Sequence, residues 1–351
     1  MNRLTALALA AASVLIVCGG ATAGSLVAPA GYVCTDTPID IPTDGWFGGF
    51  DFLPNGNLVI SDGYSVREIT RAGAPVRTLY TYADPDPSTP DVVETTFGSF
   101  VRYNPGNDRV YFGESTFGTV RWTPLAGGAD TLVATLAWNY DMDIWNNVPY
   151  VVAGNKVYRV NETTGTVEAV ATAGGPSGPV IFDAVGNLIY GTGDYDWSTP
   201  NDQNIFMWTS AQVAGAGSGN VLTTASATTI GANVNGPGGF ALNGLGELLY
   251  TDSVGWPASI KALRNGVPET FAETYVPGQY PWTTALRFDA ATGDIAAAIS
   301  WSIYTGGKWV TSTVISTLTP AAPVPEPSSL IAVCSLIGLA ASSKLLRLRG
   351  E

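Results

Sequence analysis

The chain has 351 residues, with 16 basic against 29 acidic side chains, a formal net charge of −13 and no histidine. An acidic surface repels nucleic acid and anionic lipid, so no nucleic-acid partner is expected. The missing histidine excludes Ser-His-Asp triads, His-based zinc sites and imidazole acid/base chemistry together.

The chain begins "MNRLTALALAAASVLIVCGGATAG", with one basic residue, an apolar run from Leu4 to Val17, and Ala21-Thr22-Ala23 in the small-residue cleavage pattern. Residues 1–23 therefore read as a secretory signal helix removed by signal peptidase. A lipoprotein reading through Cys18 is opposed by bulky Val17 at a position that wants a small residue. Cys18 and Cys334 both fall in hydrophobic end segments. The body keeps Cys34 alone and must be held by its core rather than by a disulfide.

Residues 24–320 form the body. Six stretches within it align: "GFDFLPNGNLVISDG" from 49, "SFVRYNPGNDRVYFGES" from 99, "NYDMDIWNNVPYVVAGN" from 139, "GPVIFDAVGNLIYGTGD" from 178, "GGFALNGLGELLYTDS" from 238 and "TALRFDAATGDIAAAIS" from 284. Each is a short apolar strand, a turn and a second apolar strand. Gly56, Gly106, Gly186, Gly246 and Gly293 supply turn positions where a positive φ is expected, and the third copy uses Asn146-Asn147 instead. Third strands follow in "SVREIT", "GTVRWT", "NKVYRV", "NIFMWT" and "SIKAL", and fourth strands in "APVRTLYTY", "ADTLVATLAW" and "GTVEAVATA".

The repeat recurs about every 47 residues, within the range of a four-stranded propeller blade. Strands such as "NLVIS", "NLIYG" and "ELLY" are apolar at successive positions, so both their faces need cover, which blades stacked around an axis provide. The expected fold is all-β, a six-bladed β-propeller of four-stranded blades flanked by the signal helix and a C-terminal hydrophobic helix. Alternatives are a kelch-like or seven-bladed ring with one unrecognised copy, and a pair of β-sandwich domains.

The phrase "GFDFLPNGNLVISD" resembles the repeat of the NHL and gluconolactonase-like six-bladed propellers, with the first, fourth and fifth copies fitting best. The third copy lacks its glycine and the sixth ends in "AAAIS" without the acid. If the resemblance extended to activity, it would imply a divalent metal held by Glu and Asn or Asp side chains from different blades, activating water against a lactone or ester. No copy here matches a metal-ligand motif, so no catalytic residue carries over.

In such a ring the loop entering the first strand and the turn leaving the second share one face. The repeat sets Asp44, Asp62, Glu114, Asp141, Asp194 and Asp252 there. Converging carboxylates would suit Ca²⁺ or another divalent cation, whereas a lone Asp beside Gly more commonly caps its turn. Trp46, Phe47, Trp138, Tyr140, Tyr195, Trp197, Trp256 and Trp282 fall in or near the same loops. Aromatic rings stack on sugar faces, and Trp197 in "GDYDWSTPNDQN" and Trp256 in "DSVGWPAS" are the preferred candidates because they lie in turn-rich insertions. "ADPDPSTPD" spaces Asp84, Asp86 and Asp91 like a calcium loop but lacks its Gly and Glu, and "AGAGSGN" lacks the phosphate-loop Lys.

Residues 321–351 close the chain with Pro325-Glu326-Pro327, a short apolar run and the basic tip Lys344, Arg347 and Arg349. This order resembles the PEP-CTERM sorting tail of Gram-negative bacteria. The resemblance implies recognition by a membrane-embedded exosortase, transient insertion, and residence at the cell surface or in exopolysaccharide matrix. A permanent anchor is the plainer reading, with the basic residues kept inside. The ligand-binding expectation is a non-catalytic binding or scaffold module for carbohydrate, with a metal-dependent lactonase or esterase as its rival.

Overall fold

Every repeated stretch folds as a β-hairpin, and the hairpins extend into six antiparallel sheets. The computed structural model describes residues 25–41, 47–83, 98–193, 203–217, 219–252, 258–276, 281–305 and 308–321. The expected signal helix and tail helix lie outside them. Among the described residues no helix is long and apolar enough to cross a membrane.

Blade 1 comprises Gly49–Phe52, Leu58–Ser61, Ser65–Ile69 and Pro75–Thr81, each strand pairing with the next. Blade 2 runs through Gly98–Asn104, Arg109–Glu114, Thr119–Pro124 and Thr131–Thr135. Blade 3 follows with Asn139–Trp145, Val148–Ala153, Lys156–Asn161 and Thr166–Thr172. Val180–Phe182, Leu188–Gly191, Gln203–Trp208 and Thr228–Val234 form blade 4. Pro237–Leu242, Leu248–Asp252, Ser259–Arg264 and Val267–Tyr275 form blade 5, with Ser25–Val27 added outside.

Blade 6 is assembled from both ends of the body. Its inner three strands are Trp282–Asp289, Asp294–Thr305 and Lys308–Pro320, and its outermost strand is Tyr32–Ile39. The register runs from Tyr32 opposite Pro320 to Ile39 opposite Thr313. Innermost strands neighbour one another in cyclic order, blade 6 meeting blade 1, so the ring is closed.

The core is divided among the seams. Each of six apolar clusters draws its residues from two adjacent blades. Side chains alternate across a strand, so neighbours serve different seams. Leu58 and Ile60 face blade 6 while Val59 faces blade 2. Tyr111 faces blade 3 while Val110 and Phe112 face blade 1. This explains why the second strands carry apolar residues at successive positions. The atypical "AAAIS" of the sixth copy fits the same scheme, because Ala296 and Ala298 make room for Phe50 and Phe52 of blade 1.

The turn glycines are correct with one exception. Gly56, Gly186, Gly246 and Gly293 have positive φ, as do Asn146 and Asn147, but in blade 2 the positive φ falls on Asp108. Gly106 is needed for space instead: a Cβ there would lie 1.9 Å from Asn147 Oδ1 of the next blade.

Candidate functional site

Antiparallel order puts the loop into each first strand and the turn between second and third strands on one side of the ring, the entry face. Four of the six expected carboxylates can be placed. Asp62 is buried and accepts from the N–H groups of Tyr64 (3.0 Å) and Ser65 (2.7 Å), with the Arg67 guanidinium 2.8 Å away. Glu114 accepts from Phe117 N at 3.0 Å and from Thr119 Oγ1 at 3.4 Å. Both hold their own turns, as Asx-type caps do. Asp252 is buried and accepts from Asn235 Nδ2 at 3.2 Å. Asp141 lies on an innermost strand rather than at a second-strand end. Asp44, Asp194, Trp197 and Trp256 lie outside the described residues, as do Pro325, Glu326, Pro327, Lys344, Arg347 and Arg349.

Asp141 belongs to a charged cluster of the first strands. Its Oδ1 is 3.0 Å from Arg102 Nη2 of blade 2 and 3.8 Å from Arg287 Nη2 of blade 6. Its Oδ2 accepts from Val180 N of blade 4 at 3.1 Å. Two neighbours repeat this stitch: Asp51 accepts from Tyr103 N at 2.9 Å and Asp143 from Phe182 N at 2.7 Å. An innermost strand has no strand beyond it, so its outward N–H groups need partners, and a carboxylate from the preceding blade supplies them. Burial pushes all three carboxyls above the ordinary Asp range, Asp143 to about 6, while Arg102 opposes the rise. The sequence signal for this cluster is a charged residue inside an apolar first strand, as in "GFDFLP" and "NYDMDIW".

Farther out on the entry face, a cleft of about 260 Å³ opens at the seam of blades 1 and 2, lined by Tyr80, Tyr82, Glu114, Phe117, Thr119 and Arg121. Tyr82 is fixed by a 2.9 Å hydroxyl contact with Ser61, and Tyr80 packs against Phe112 at 4.6 Å between centroids. The Arg121 guanidinium lies 5.9 Å from the Tyr80 ring centre and 2.5 Å from Asp130. Phe117 is half exposed. The cleft thus presents aromatic faces beside a carboxylate, a hydroxyl and a guanidinium.

The Phe117 turn is tied to a second exposed aromatic. The carbonyl of Gly118 accepts from Leu136 N at 2.6 Å, and two residues on stands Trp138, 76 % exposed with φ +59°. That left-handed backbone costs a non-glycine residue about 1–2 kcal/mol. The Trp138 carbonyl, which accepts from Gly154 N (3.2 Å) and Ser177 Oγ (3.5 Å), helps hold it.

A metal of the kind implied by the lactonase resemblance needs several oxygens converging on one point. Among the described residues no group of three or more Cys, Asp or Glu side chains is placed to hold a metal ion. The first-strand carboxylates are already turned toward backbone N–H groups and guanidinium, so the described residues do not fit that group.

No protein-family model and no curated protein matches the chain. Solved structures do share its fold. A structural-genomics protein of unknown function from Bacteroides thetaiotaomicron aligns over 81 % of this chain and 76 % of its own, with TM-score 0.53 and 14 % identity. A glucose dehydrogenase aligns over 80 % of this chain and 99 % of its own, with TM-score 0.51 and 10 % identity. An auxiliary nutrient binding protein from Bacteroides thetaiotaomicron covers 84 % and 75 %, with TM-score 0.51 and 11 % identity. These likenesses are of architecture.

Proposed function

We propose that the protein is an exported propeller that binds carbohydrate on its entry face, at the cleft between blades 1 and 2. The observation that carries this reading is the cleft lining, in which Tyr80, Tyr82 and Phe117 stand beside Glu114, Thr119 and Arg121. Sugar rings present apolar C–H faces to aromatic rings and hydroxyls to charged groups, so this mixture suits them. The acidic chain favours neutral or cationic glycans over polyanions. A glycan array probed with wild type and Phe117→Ala tests it. Phe117 is half exposed, so its loss leaves the fold intact. Binding weakened at least tenfold supports the cleft, and equal binding removes it. Trp197→Ala and Trp256→Ala belong in the same screen.

Export rests on the leader and the sorting tail. In this reading signal peptidase removes residues 1–23, an exosortase acts on the segment after Pro325-Glu326-Pro327, and the body resides at the cell surface or in exopolysaccharide matrix. Glu326→Ala, or deletion beyond Val324, then changes surface retention without altering the thermal transition of the body. Unchanged retention and tail processing in the host would sink this part. The rival, a metal-dependent hydrolase of lactones or esters, is favoured by the repeat resemblance alone. Elemental analysis of purified protein decides it: a stoichiometric divalent metal would revive it.

A further inference from the structure

Blade 6 departs from the other five at its second turn. Second strands elsewhere are 4 to 6 residues long, but Asp294–Thr305 has 12 and pairs with the 13 residues of Lys308–Pro320. Its first strand reaches only Ser300 and its outermost strand stops at Thr313. Five further pairs, from Trp301 opposite Ser312 to Thr305 opposite Lys308, therefore stand above the sheet as a two-stranded arm. Among the described residues no strand pairs with either edge of this arm. Isolated two-stranded hairpins are marginal in water, and open edges are templates for another strand.

One edge of the arm borders a cavity of about 650 Å³. Its walls are Val310–Ser312 on the open edge, Thr313 and Val314 just below it, and Asp36 with Pro38 to Ile41, where the outermost strand ends. This is the notch that a strand continuing Tyr32–Ile39 would fill, had the chain not turned toward blade 1. Trp301 contributes an apolar wall, Asp36 a half-buried carboxylate whose Oδ1 accepts from Ser316 Oγ at 2.7 Å, and Asp40 an exposed one.

We infer that this notch is a β-augmentation site, in which an extended, basic segment of a partner protein adds as a fifth strand along Val310–Ser312. Backbone hydrogen bonds to the open edge supply affinity. Asp36 and Asp40 select Lys or Arg on the incoming strand, and the charge of −13 disfavours a second copy of this chain as the occupant. The whole open edge, Lys308–Ser312, offers five residues to the incoming strand, roughly 17 Å of strand.

The probe is a fluorescent peptide, Thr-Lys-Val-Lys-Thr-Lys-Val-Lys-Thr, titrated by anisotropy against the full chain. Two variants accompany it: one with Ser302 to Thr311 replaced by Asn-Gly, which trims the arm to its base, and Asp36→Asn with Asp40→Asn, which keeps the arm and removes the charges. The expected result is binding weakened at least tenfold by trimming and at least threefold by the double substitution, with no binding of the peptide carrying Glu for Lys. Equal binding by wild type and the double variant overturns the inference, as does absence of peptide binding to wild type. So does wild-type self-association that trimming abolishes, because the occupant is then a second copy.

Discussion

The first strands and the entry face use the same residue types to opposite ends. On the first strands Asp51, Asp141 and Asp143 are turned into the protein, each holding an N–H of the next blade with Arg102 beside them. On the entry face Phe117 and Trp138 are turned out, and Trp138 keeps a backbone conformation that an ordinary loop would relax. Charge inside the ring is thus spent on architecture, while apolar surface on the face is left unspent. A composition-level search for clustered acids points to the wrong one of these two regions.

The sharpest way to break the contrast is Arg102→Ala. It removes the closer of the two guanidinium groups beside Asp141 and leaves only Arg287 at 3.8 Å, and breaking one partner of a buried pair costs about 3–5 kcal/mol. Urea denaturation should show that loss, whereas Phe117→Ala should move the midpoint little.

Next in size is a pH effect. The folded-state pKa of Asp143, about 6, lies above its ordinary 3.8, and those of Asp51 and Asp141 are raised as well. Between those values the folded chain binds more protons than the unfolded one, so the contribution of these groups rises as pH falls from about 6 toward 4 and is lost as pH rises through 6. Glu68 acts in the opposite sense: burial opposes its ionisation, but Asn57, Asn55 and Arg77 hold its pKa below 4.5, so its contribution fades only below that pH. The urea midpoint should therefore be higher at pH 5 than at pH 7. Asp143→Asn should flatten the difference and stabilise the protein at pH 7 by on the order of 1 kcal/mol, since an amide oxygen can still accept from Phe182 N.

The smallest effect is the most telling about the face. Trp138→Gly relieves the left-handed strain and should raise stability by about 0.5–1 kcal/mol. Glycan binding should fall at the same time. A substitution that strengthens the fold and weakens binding separates the two roles, and a loss of stability instead would mark Trp138 as structural.

Much of the ring was legible because its signals are local. Turn glycines, the Asn146-Asn147 pair and apolar second strands each announce a hairpin within about 15 residues. The closure was not, because Tyr32–Ile39 pairs with a strand nearly the whole body away: Asp36 and Ser316, bonded at 2.7 Å, are 280 positions apart. Its alternating exposure resembles any edge strand, and nothing local names its partner. The cleft was half legible. Glu114 stood out by its place in the repeat, but Tyr80 lies in the fourth strand of the preceding blade and Tyr82 just past its end, and both reach it only through the seam. Asp51 and Asp143 escaped because each reads as a polar residue in an apolar strand until the neighbouring blade is present.

The joining of Tyr32–Ile39 to Lys308–Pro320 also sets a timetable. An emerging polypeptide can zip up its first five sheets in succession, but the clasp stays undone until residue 320 has appeared. Contacts that distant form slowly. The five earlier sheets can therefore be in place while the ring still stands open, and its closure waits on the last strand of the body.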